Sequence, residues 1–209
     1  MGLLSIDPVE LILSLPAVFW AITFHEFCHG WVAKLLGDPT ADRAGRLTLN
    51  PAAHFDLWGT LLLLFAGFGW AKPVPINTRY FRNYKRDIIL VSLAGVAGNI
   101  LTAFVCVLIW HIAAKSIFSV AGVSGLTALR KMIFINMGLA SFNLIPIPPL
   151  DGSKILSAFI PYRWSGYYFW LERYGMIVLI VLVMTGIIDV LFYPIFRALW
   201  SLTTLGGLL

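Results

Sequence analysis

The sequence predicts an all-α membrane protein: a polytopic helical bundle of about four full spans, with a re-entrant segment and a short β-hairpin. Three observations carry that expectation. Of the 209 residues, 59% are hydrophobic and only 12% are charged, about half the charged share of an ordinary soluble domain. That leaves too little polar surface to cover a water-soluble body. The apolar residues fall in runs long enough to cross a bilayer, and five of the fifteen Lys and Arg residues crowd into a loop between two of them.

The elements follow in chain order. The first apolar run extends from about Val9 to Leu36 and is interrupted by His25, Glu26 and His29. It has neither a basic leader nor a small-residue cleavage site, so it is expected to belong to the working protein rather than to a removed signal. The polar stretch Gly37 to Asp56 holds Asp38-Pro39, Gly45 and Asn50-Pro51, and Arg46-Leu47-Thr48-Leu49 alternates within it. That alternation suggests the hairpin.

Leu57 to Ala71 is apolar and glycine-rich, but as a helix it would reach only about 22 Å. The hydrocarbon core is about 30 Å thick, so the run is expected to dip in and return on the same side. Ile88–Ala114 is uncharged and ample for a crossing, and Met132–Leu150 is another, ending in a cluster of prolines. Met176 to about Leu199 completes the set, with Asp189 facing either the bundle or the far interface. Trp58, Trp70, Trp110 and Trp200 lie near segment ends, where interface anchors belong. With no repeats and no long linker, residues 1–209 read as a single domain.

The net charge is +5, and Lys72, Arg79, Arg82, Lys85 and Arg86 lie in one short stretch. Such a cluster holds a loop on the cytoplasmic side, and it forms no amphipathic face for nucleic acid. The span from Ile88 then runs outward and the span from Met132 inward, which brings Asp151 near the cytoplasmic side. If the Leu57 segment is re-entrant, the first helix also ends in the cytoplasm. His25, Glu26 and His29 then stand at a similar depth. The two cysteines, Cys28 and Cys106, both lie in apolar runs and imply no disulfide framework.

His25-Glu26-Phe27-Cys28-His29 is a His-Glu-x-x-His motif. Residues four apart share a helical face, so both imidazoles can bind one metal while Glu26 takes a proton from activated water. Read blandly, the same residues are a buried packing network. Three ionisable groups within five residues at membrane depth favour a functional role.

A catalytic zinc usually has three protein ligands and an open position. The only glutamate after Glu26 is Glu172, far beyond the spacing at which soluble proteases of this motif supply a third ligand. Asp151 is the better candidate. It follows Pro146, Pro148 and Pro149, which cannot sustain a regular helix, and irregular backbone at membrane depth belongs beside protein or a wet cavity. Taken alone, Asp151-Gly152 would be only a turn.

These motifs, with Gly95-Val96-Ala97-Gly98-Asn99 and Asn143-x-x-Pro146 leading to Leu150-Asp151-Gly152, resemble the site-2 protease family of intramembrane zinc metalloproteases, in its small form without a PDZ or CBS domain. The likeness covers nearly the whole chain, including Asn50-Pro51 and Gly69 to Pro75. It implies one Zn2+ held by His25, His29 and Asp151, with Glu26 as general base and Asn143 binding the substrate backbone or developing oxyanion. It also implies membrane-dipping β-structure after the first helix that guides the substrate. Val96 stands where the family often has proline, and Ser153-Lys154 replace the usual Gly-Arg; neither touches a proposed ligand.

The expected partners are a transmembrane protein substrate and membrane lipid, with no nucleic acid. The expected location is the cell membrane, multi-pass, with the active site toward the cytoplasm. A non-proteolytic zinc-binding scaffold or pseudoprotease, or a metal transporter, would also need ligands, but neither needs a carboxylate beside the first histidine. His54 is either a displaceable fourth ligand or gate, or an interfacial polar residue. His111 reads as interfacial packing and Cys28 as a small apolar filler.

Overall fold

A computed structural model describes residues 8–66, 69–114 and 120–204. Three helices form its centre: α1 (Pro8–Leu35), α4 (Tyr84–Ala114) and α5 (Val120–Asn143), each packed on the other two. Between α1 and α4 lie the short helices α2 (Thr40–Arg43) and α3 (Leu57–Ala66). After α5 come α6 (Asp151–Ser157), α7 (Ser165–Met184) and α8 (Ile188–Thr203).

Buried polar side chains and large exposed apolar ones set the molecule apart from an ordinary soluble protein. His25, His29, Asp38, Asp87, Asn99, Asn136 and Asp151 are buried, whereas Leu101, Ile112, Ile177 and Met184 are exposed. Among the described residues, two helices are long and apolar enough to cross a membrane, over Tyr84–Ile112 and Ser165–Met184.

The last apolar run departs from expectation. Met176–Leu199 is not one helix: Gly186 at φ +73° turns the chain between α7 and α8, a conformation that glycine adopts without steric cost. Helix α8 then lays Phe196, Leu199 and Trp200 over a core of Ala103, Cys106, Val107, Ile133 and Met137. Similarly, the helix within Met132–Leu150 stops at Asn143, ahead of the prolines. Ile145 and Leu150 of that irregular stretch are buried with Leu179 of α7 and Ile188 of α8.

The hairpin is also corrected. No strand occurs among the described residues. Helix α1 closes with Gly37 at φ +106°, where Gly37 N–H donates to Lys34 and Asp38 N–H to Ala33, a Schellman ending. The Asp38 carboxylate accepts from Thr40 N–H at 2.9 Å and from the Thr40 hydroxyl. Asn50 caps a 3-10 turn at Pro51–Ala53. Local side-chain bonds of this kind hold the backbone in turns and compete with a strand ladder.

Helix α3 is ten residues long, about 15 Å. The run that contains it returns to its start: Lys72 N–H donates to His54 C=O at 2.9 Å, and Trp70 lies so close to Gly59 that a side chain there would meet its carbonyl. Residues 72–77 then continue without helix to the 3-10 turn Thr78–Tyr80 and α4.

Candidate metal centre

His25 and His29 stand one turn apart on α1, with their rings perpendicular and centroids 4.5 Å apart. Asp151 arrives as the first residue of α6, placed by the proline-broken stretch that walls off α5. Its Oδ2 lies 3.1 Å from His25 Nε2 and 3.0 Å from His29 Nε2, and the two nitrogens are 2.9 Å apart. All three residues are buried.

A hydrogen-bond network fixes which atoms face inward. Asn136 Nδ2 donates to Met132 C=O at 2.8 Å, so its Oδ1 must be the atom toward Asn99. Asn99 Nδ2 donates to that oxygen and to Ala21 C=O, each at 2.9 Å. Asn99 Oδ1 is thereby turned to His25 Nδ1 at 2.7 Å, which must carry the proton. His29 Nδ1–H likewise donates to Val91 C=O at 2.7 Å.

In that neutral tautomer each ring turns its Nε2 lone pair toward the Asp151 carboxylate oxygen. Three acceptors this close and this buried form a group that could hold a metal cation. A tetrahedral ion with bonds near 2.0 Å has ligand edges of roughly 3.3 Å, so the trio fits a divalent metal bound by two His and one Asp. Asp151 Oδ1 is held separately by Lys154 Nζ at 3.0 Å. The outer partners Asn99, Asn136 and Lys154 match the usual second layer of a metal site, which orients ligands and fixes tautomers.

Glu26 lies on the next residue of α1, and its Oε2 accepts from Val74 N–H at 2.8 Å. A cleft of about 530 Å3 opens beside the centre, lined among others by His29, Val74, Ile76, Ile88, Tyr168 and Glu172. The α7 lining residues Ser165, Tyr168, Phe169 and Glu172 follow one helical stripe.

The other sequence candidates fall elsewhere. His54 is buried, but its Nε2 donates to Thr48 C=O at 2.9 Å. It secures the 48–54 turn and is outside the ligand group. Asn143 donates to Leu139 C=O at 3.1 Å at the end of α5. His111 Nδ1 donates to Val107 C=O at 2.9 Å, and Cys28 is packed against Gly98. Asp189 is exposed in the first turn of α8. Asn136 was not singled out by sequence, although a lone amide in an apolar run was its available signal.

The fold and site define a helical membrane protein with a two-histidine, one-aspartate metal centre beside a glutamate. The profile of peptidase family M50 matches residues 111–185. YwhC of Bacillus subtilis (strain 168), assigned by name as a zinc metalloprotease, is 38% identical over 93% of this chain and 89% of its own. Rip2 of Mycolicibacterium smegmatis, assigned in the same way, is 25% identical over 88% of this chain and 71% of its own. MJ0611 of Methanocaldococcus jannaschii, with the same assignment, is 32% identical over 74% and 73%. No solved structure matches the chain. The chain belongs to peptidase family M50, the site-2 protease family.

Proposed function

We propose that the protein is a single-domain, zinc-dependent intramembrane endopeptidase that hydrolyses peptide bonds of membrane-spanning proteins at the cytoplasmic edge of the bilayer. The observation that carries this reading is the convergence of two imidazole Nε2 atoms and one carboxylate oxygen next to a further carboxylate, Glu26. Scaffolds and transporters have use for the first three groups but not for the fourth.

Zinc, when bound, supplies the Lewis acid that activates water and polarises a carbonyl. His25, His29 and Asp151 hold it, and their outer partners keep the three ligand atoms aimed at one point. Glu26 takes the proton of the attacking water and delivers it to the departing amine. Asn143 is kept as the group that meets the substrate backbone or developing oxyanion. A substrate helix must unwind first, because its carbonyls are already occupied; the cleft beside His29 takes it extended.

Position and orientation follow from the cations. Arg79, Arg82, Lys85 and Arg86 flank the start of α4, and Val91, which binds His29, stands only seven residues into that helix, about 10 Å along it. The centre thus lies close to the basic, cytoplasmic end. Four crossings, with the Leu57 run re-entering, and lipid around the exposed apolar faces complete this reading; nucleic acid has no part in it.

Glu26→Gln tests the assignment in detergent on a single-span substrate. Cleavage should fall by about 10²–10⁴ with zinc content unchanged. A variant that keeps its zinc and cuts as fast as wild type overturns the proposal.

A further inference from the structure

Residues 72–77 lack a strand partner among the described residues, yet their backbone is held at four points. Lys72 N–H donates to His54 C=O at 2.9 Å. Arg46 Nη2 donates to Lys72 C=O at 2.8 Å and Pro73 C=O at 3.3 Å. Asn77 N–H donates to the buried Asp38 Oδ2 at 2.7 Å. The fourth point is the bond from Val74 N–H to Glu26 Oε2 at 2.8 Å.

The Val74–Glu26 bond joins the proposed general base to a wall of the cleft. Pro73 and Pro75 have no N–H and stiffen the chain on either side. Pro75 also biases Val74 toward an extended conformation. Within residues 73–75, Val74 therefore carries the lone backbone donor, and that donor is given to Glu26. The approach is built into α1: a Cβ on Gly30 would stand 3.1 Å from Val74 Cγ1. Val74 is buried there at 6% exposure, and both Val74 and Ile76 line the cleft that His29 also lines.

We infer, on the basis of the function proposed above, that residues 72–77 are a positioning element for Glu26. The Val74 amide holds Oε2 in a charge-assisted bond and leaves Oε1 to receive the water proton. A peptide lying in the cleft presses on the same short segment, so seating the substrate and orienting the base are coupled through one backbone group. Glu26 is set by the segment the substrate touches as well as by α1.

The test separates the Val74 amide from its side chain. Val74→Pro deletes the donor, and Val74→Ala keeps it while trimming the cleft wall. With zinc content equal to wild type, Val74→Pro should lose about tenfold to a hundredfold in kcat with KM little changed, the scale of a misplaced catalytic group. Val74→Ala should chiefly raise KM. Equal kcat losses in both variants, or none in Val74→Pro, overturn the inference. A second measurement needs neither zinc nor turnover: amide hydrogen exchange across residues 72–77 in metal-free protein. Glu26→Ala should speed exchange at Val74, and Glu26→Gln, which keeps an acceptor, should slow that loss of protection; unchanged exchange in Glu26→Ala shows that the bond does not hold the segment. Failure of Glu26 as base is read separately, from full activity of Glu26→Gln.

Discussion

Asn99 is fully buried, and its side chain has one acceptor, given to His25, and two donor bonds, given to Ala21 and Asn136. Rotating that amide would set an NH2 group against the His25 N–H and strand two oxygens without donors. The residue therefore acts as a lock on the His25 tautomer. Replacing it with leucine removes the lock and leaves His25 free to protonate Nε2, the metal-facing atom. Asn99→Leu should weaken zinc affinity about 10–100-fold, read by competition with a chromogenic chelator; unchanged affinity would relieve Asn99 of this role. At this scale, the grouping of His25, His29 and Asp151 was legible because it is written in a short motif and in a single proline-flanked aspartate. Asn99 was visible only as part of a motif. Asn136 acts through Asn99 across a sequence separation that no local pattern encodes, whereas Lys154 stands three residues from the aspartate it holds and reads in the sequence as an ordinary helix cation.

Helix α4 reaches α1 through glycine. A Cβ on Gly95 would stand 2.5 Å from His29 Nε2 and 2.7 Å from His25 Cε1, and one on Gly98 would stand 2.6 Å from Cys28 Sγ. Those distances are shorter than any tolerated contact, and the imidazoles cannot retreat without leaving Asn99 and Val91. Gly95→Ala is thus expected to displace both ligands and lower zinc occupancy at least tenfold, whereas Gly138→Ala on α5, with nothing within 4 Å of the added carbon, should keep full occupancy. Metal analysis of the two purified proteins decides it, and a zinc-replete Gly95→Ala would refute the close-contact argument.

Hydropathy located α1 and α4 well, because a long and largely apolar run has few ways to hide. It failed where one residue redirects the chain. Gly186 splits an unbroken apolar run into α7 and α8, and hydropathy does not register a φ angle. The alternation in Arg46–Leu49 pointed to a hairpin, but Asp38 and Asn50 capture nearby amides first. The re-entrant reading rests on a length too short for the bilayer, a physical limit rather than a pattern, and the ten-residue α3 is consistent with that limit.

Across the whole molecule, the metal joins the chain's beginning to its later half. His25 and Asp151 are 126 positions apart, and they come from α1 and α6, which otherwise meet chiefly through α4 and the buried stretch before Asp151. His25 Nε2, His29 Nε2 and an Asp151 carboxylate oxygen face one another at about 3 Å in a buried site. A metal bound there cross-links the two regions, so zinc should stabilise the folded bundle as a ligand specific to it. At a thousandfold excess over Kd the gain is about 4 kcal/mol. A strong chelator should therefore lower the thermal midpoint of wild type in detergent, and zinc should restore it. Asp151→Ala leaves two imidazoles on one helix, which bind without bridging α1 to α6, so its midpoint should respond to neither reagent. A wild-type midpoint indifferent to zinc would mean that the trio is closed by packing alone. A shift retained in Asp151→Ala would mean that the bridge lies elsewhere.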